Sequence, residues 1–133
     1  MDEWVMERYE LAKERIAQIP DEKMAEEPYC DFFTKEAMFL QQVIHVMDHG
    51  IAGKNLEELQ EQNHELYQDI LPENYENSYG NPAYAQKMLG EYGKVFTFLY
   101  TELYGTIAYA FEKKAWDLTV VLELFLEIYS AFT

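Results

Sequence analysis

The chain has 133 residues, a formal net charge of −15, and 49% hydrophobic and 16% aromatic residues. That is one domain's length with enough apolar material for one core, which excludes a disordered chain. The acidic balance argues against nucleic acid and against an anionic membrane surface as partners, because both call for clustered Lys and Arg.

Four prolines and six glycines punctuate the sequence, which favours long helices over a many-stranded sheet. The sole cysteine, Cys30, leaves no intrachain disulfide and fits a reducing cytoplasm. The acidic start at Asp2 and Glu3 is unlike the basic opening of a signal peptide. The most apolar stretch, 118–132, is shorter than a membrane span and contains Glu123 and Glu127.

In chain order, residues 2–19 carry Val5, Tyr9, Ala12, Ile16 and Ile19 at spacings of four and three, an amphipathic helix that Pro20 stops. Residues 21–28 read as a polar connection with room for one helical turn. A second helix follows over 31–49, with Asp31 as its cap and Phe33, Ala37, Leu40, Ile44 and Met47 as its buried stripe. Gly50 and Gly53 close it. A third helix spans 56–70, capped by Asn55, with Glu58 in the capping-box position and Asn63 on the apolar stripe. Residues 71–81 form a Tyr-containing linker, and Asn81-Pro82 is a cap followed by proline at the first helical position.

From there Ala85, Leu89, Tyr92, Phe96, Leu99, Leu103 and Ala110 hold one helical phase through Gly90 and Gly93. This reads as one helix over 82–113, about 45 Å long if straight, with a kink at the glycines. Asp117 caps a last helix running to the end of the chain. The expected architecture is therefore a single all-α domain over 1–133. It is a bundle of about five helices with the last two as a long central hairpin.

No set of residues here completes a catalytic site. Glu61 and His64 have the Glu-x-x-His spacing of di-iron bundles, and His45 and His49 share a helix face. Their phase puts them on polar faces, and a second Glu-x-x-His is absent from the sequence. No catalytic residue, metal ligand or cofactor is thus expected in this chain. Cys30 reads as a small buried hydrophobe beside Tyr29 and Phe32. Glu123 and Glu127 fall on a solvent-facing line with Thr119 and Ser130. Glu102, among Phe98, Leu99, Leu103 and Tyr109, is the candidate buried acid, and it needs a partner, a proton or water.

The anomaly is the last helix. Leu118, Val121, Leu122, Phe125, Tyr129 and Phe132 form one face, while Val120, Leu124, Leu126 and Ile128 cover most of the rest. A helix apolar nearly all round is buried on all sides. The expected interaction surface is Leu118, Leu122, Leu124, Phe125, Ile128, Tyr129 and Phe132, meeting a second copy or a C-terminal catalytic domain. Thr101, Gly105 and Ala108 form a small-residue strip suited to close approach.

Five stretches carry a family resemblance: Leu-Glu-Glu-Leu-Gln at 56–60, Leu-Pro-Glu-Asn-Tyr-Glu at 71–76, Ser-Tyr-Gly-Asn-Pro-Ala-Tyr at 78–84, Phe-Leu-Tyr-Thr-Glu-Leu at 98–103 and Ile-Ala-Tyr-Ala-Phe at 107–111. With them the chain resembles the helical N-terminal region of bacterial leucyl aminopeptidases of the thermophilic metallo-aminopeptidase type. The resemblance implies a two-metal peptidase site in a later catalytic domain, and none of that site's ligands maps onto a residue here. It implies an N-terminal accessory piece that gates substrate, mediates assembly or supports the catalytic domain. The competing reading is a small metal- or ligand-binding bundle that uses Glu102 or the histidines.

Overall fold

The computed structural model describes residues 3–49, 58, 61 and 76–131. Its helices are α1 (Glu3–Ile16), α2 (Asp21–Met24), α3 (Glu27–Asp48), α4 (Pro82–Leu89), α5 (Gly93–Lys113) and α6 (Thr119–Ser130). Single 3-10 turns at Gly90–Tyr92 and Trp116–Leu118 join the last three. The described residues contain no strand, and the fold is an all-α bundle as expected. No described helix is long and apolar enough to cross a membrane.

α1 buries Val5, Ala12 and Ile16, one stripe of its surface. Pro20, extended at φ −61° and ψ 145°, opens the single turn of α2. α3 begins earlier than Asp31: Pro28 sits in its first turn, where a missing N–H costs nothing. Asp31 is therefore inside the helix and pairs with Lys35 at 3.1 Å instead of capping. Of the expected third helix only Glu58 and Glu61 are described, both helical and exposed; Asn55, Asn63 and His64 lie outside the described residues, as do Gly50 and Gly53.

Asn81 caps α4 by accepting a hydrogen bond from the Ala83 N–H at 3.0 Å, with Pro82 behind it. Residues 82–113 are helical throughout but not straight. Gly90 adopts φ +62° and ψ −136°, a conformation open to glycine, and the chain reverses there. α4 folds back along α5, so the Thr97 hydroxyl donates to the Tyr79 carbonyl at 2.9 Å. A turn at Lys114, left-handed at φ 53°, ends α5. Asp117 makes no cap: α6 starts after Leu118 with no side-chain hydrogen bond at that position.

α1 lies antiparallel on α5, as Trp4–Tyr109, Arg8–Glu102 and Arg15–Phe98 contacts occur in that order. α5 and α6 are consecutive arms, yet α6 packs most extensively on α3 and then on α1. Tyr9 meets Phe125 edge-on, and Phe33 meets Tyr129 at 5.5 Å. Phe32, Phe33, Tyr29 and Tyr79 surround Phe96, mostly edge-to-face, the arrangement favoured by ring quadrupoles.

Candidate functional site

The two faces of α6 have different surroundings. Leu118, Val121, Leu122, Phe125 and Tyr129 are at most 2% exposed. Four of the expected interaction residues, Leu118, Leu122, Phe125 and Tyr129, therefore belong to the core and are not available to a partner. The reason is α3, which runs for 22 residues and brings the buried rings Phe32, Phe33 and Phe39, enough apolar surface to cover this stripe. Phe132 lies outside the described residues.

The outward face keeps the other part of the expectation. Val120 is 53% exposed, and Leu124 and Ile128 are half-buried beside it. They share a strip with Ala131, at spacings of four, four and three. The strip runs into a half-open cavity of about 350 Å³ lined by Ile16, Ile19, Met24, Ile128 and Ala131, with Lys13 and Asp21 its charged members. The hollow lies among the C-terminal ends of α1 and α6 and the single turn of α2. Glu123 and Glu127 are exposed, as expected, on the flank of the strip.

Glu102 is a half-buried tie between helices. It accepts from Arg8 at 3.2 Å, both side chains being about 20% exposed, and Arg8 also reaches Glu7 at 3.3 Å. The Arg8 guanidinium stands 5.4 Å from the Trp4 ring centre, so its charge is shared among three neighbours. A carboxylate so paired has a structural reason for its position.

Among the described residues the buried acid is Glu36, at 6% exposure. It escaped the sequence reading although it sits three residues after Phe33 and four before Leu40, on the core stripe of α3. Its charge faces Tyr129, whose hydroxyl is enclosed and has no hydrogen-bond partner. Burial first, and the Glu36 carboxylate second, hold the Tyr129 hydroxyl well above tyrosine's ordinary range. Tyr29 is also raised, chiefly by burial, but its hydroxyl donates to the Leu89 carbonyl at 2.9 Å.

His45 and His49 are exposed at the end of α3, as the phase predicts. Among the described residues no group of three or more His, Cys, Asp or Glu is placed to hold a metal ion. Cys30 is half-buried, and its thiol donates to the Met24 carbonyl at 3.0 Å. Of the Tyr-rich linker, Tyr79 is buried against Phe32, Phe96 and Tyr84, which packs this segment onto the body. The small-residue strip makes no close approach: Thr101 is exposed, and a Cβ on Gly105 would meet nothing within 4 Å.

No protein-family model, curated protein or solved structure matches this chain.

Proposed function

We propose that this chain is a non-catalytic helical accessory domain that mediates assembly, the N-terminal part of a leucyl aminopeptidase-like metallopeptidase. Its working surface is the outward strip of α6, and the partner is a second copy of the chain. The observation that carries the reading is the strip Val120, Leu124 and Ile128 beside an apolar hollow, with Val120 53% exposed. Monomeric surfaces scatter single apolar residues, whereas a contiguous strip joined to a hollow marks an interface. A two-fold pairing is the commonest cover for such a surface, because one patch meets itself. The aminopeptidase setting rests on the resemblance of the stretches between residues 56 and 111.

The test has two arms. Hydrolysis of leucyl p-nitroanilide by the purified chain, with Zn²⁺ or Co²⁺ added, is expected to be absent. Metal-dependent turnover would overturn the non-catalytic role. Cross-linking at micromolar concentration is expected to give a dimer whose yield falls when Val120→Glu is introduced. Equal yields from both proteins would overturn the assignment of the surface.

A further inference from the structure

We propose that His45 and His49 form a labile two-imidazole site for one divalent transition-metal ion at the C-terminal end of α3. The inference is independent of the assembly role, since His45 lies in the last turn of α3 and His49 is its C-cap, away from the outward strip of α6.

The two histidines are four residues apart, so their side chains leave the same helix face one turn from each other. Both are exposed. Their ring centres are 4.1 Å apart, with the planes tilted by 39°. His49 Nδ1 lies 2.9 Å from the His45 carbonyl oxygen. A carbonyl oxygen only accepts, so in the neutral ring this contact puts the proton on Nδ1 and leaves the Nε2 lone pair of His49 open. An imidazole anchored through one nitrogen to a backbone carbonyl, with the other nitrogen open, is the orientation that metal-ligating histidines use. Neither ring takes part in the ion pairs found among the described residues.

Two fields draw a cation to this point. The C-terminal end of a helix carries a partial negative charge. The chain's net charge of −15 raises the cation concentration around it. The donor set then selects the ion: imidazole nitrogen suits Zn²⁺, Ni²⁺ and Cu²⁺, whereas Mg²⁺ and Ca²⁺ prefer oxygen. Two protein ligands leave the remaining positions to water. The ion is therefore exchangeable, unlike a closed structural metal, and it staples the last turn of α3 by bridging residues 45 and 49.

The experiment is a titration of the whole chain with Zn²⁺ and Ni²⁺, followed by NMR of the histidine rings, with Ca²⁺ as control. The expected result is saturable binding of one ion, with the His45 and His49 rings responding together to Zn²⁺ and not to Ca²⁺. Both His45→Ala and His49→Ala should weaken binding by roughly tenfold or more. The milder His45→Gln, which keeps a polar side chain on the helix, should behave as His45→Ala does. Zn²⁺ should raise the melting temperature of the native chain and of neither alanine variant, because the ion binds the folded turn alone. Three results would overturn the site: no saturable binding, a response from one ring only, or undiminished binding in both alanine variants. The last would assign the ion to the acidic surface at large.

Discussion

Gly93 packs directly on the backbone of Ala85. A Cβ at Gly93 would stand 2.6 Å from both the carbonyl carbon and the oxygen of Ala85, and 2.7 Å from the Gln86 nitrogen. Gly93 itself is ordinary helix at φ −55° and ψ −36°, so the requirement is steric and not conformational. This contact lets α4 lie back on α5 after the reversal at Gly90.

Gly93→Ala should therefore destabilise the fold by about 1–3 kcal/mol, as overpacking against backbone does. Gly105→Ala, in the same helix but facing open space, should stabilise it by about 0.5–1 kcal/mol through helix propensity. Urea unfolding midpoints of the two variants should move in opposite directions. Equal shifts would mean that α4 does not press on Gly93.

The reversal is also where the sequence was least legible. Periodicity reports which face of a helix is buried and not the direction in which the helix runs. Ala85 and Leu89 in α4, and Phe96, Leu99 and Leu103 in α5, all face one core, so their spacing continues through the turn without a slip. Asn81-Pro82 was legible because a cap is a local signal with local chemistry. Glu36 was not legible for the opposite reason: a carboxylate ordinarily faces water, although the phase of Glu36 matches Phe33 and Leu40. On α6 the sequence assigns Leu118, Leu122, Phe125 and Tyr129 to a partner, whereas α3 covers them within the chain. The single stripe expected for α3 leaves out Phe32 and Phe39, which the wider buried face of the helix includes.

Tyr129 and Tyr29 should respond oppositely to loss of the hydroxyl. Tyr129→Phe removes an enclosed group with no partner and should be neutral or stabilising by up to about 1 kcal/mol. Tyr29→Phe removes a bond to the Leu89 carbonyl and should cost about 1–2 kcal/mol.

The raised Tyr129 hydroxyl also makes stability depend on alkaline pH. The folded state keeps its proton where the unfolded chain releases one, so the stabilisation is complete below the unfolded tyrosine range near about 10. It is lost as pH rises from there through the higher folded value. Denaturant midpoints should fall less steeply above that range in Tyr129→Phe than in the native chain. Parallel curves would show that Tyr129 ionises freely in the folded state.

The Arg8–Glu102 pair should behave as a modest clamp. Both side chains keep about 20% exposure, and Arg8 retains Glu7 when Glu102 is removed. Glu102→Ala should cost about 1 kcal/mol or less, and the loss should shrink in high salt. A double-mutant cycle with Arg8→Ala measures the coupling. A loss several times larger, with no coupling to Arg8, would indicate a role for Glu102 beyond this pair.

The two faces of α6 should separate folding from association. Leu122→Ala, at 0% exposure, should cost about 2–5 kcal/mol by leaving a cavity in the core. Val120→Glu and Ile128→Glu lie on the outward strip and should leave the helical circular dichroism unchanged, with small losses of stability. Sedimentation equilibrium of the native chain and these two variants tests the assembly claim most directly. The account predicts a native mass approaching twice the 15.8 kDa of one chain at micromolar concentration, falling to one chain in either variant. A native protein that stays at 15.8 kDa up to the highest attainable concentration would contradict it.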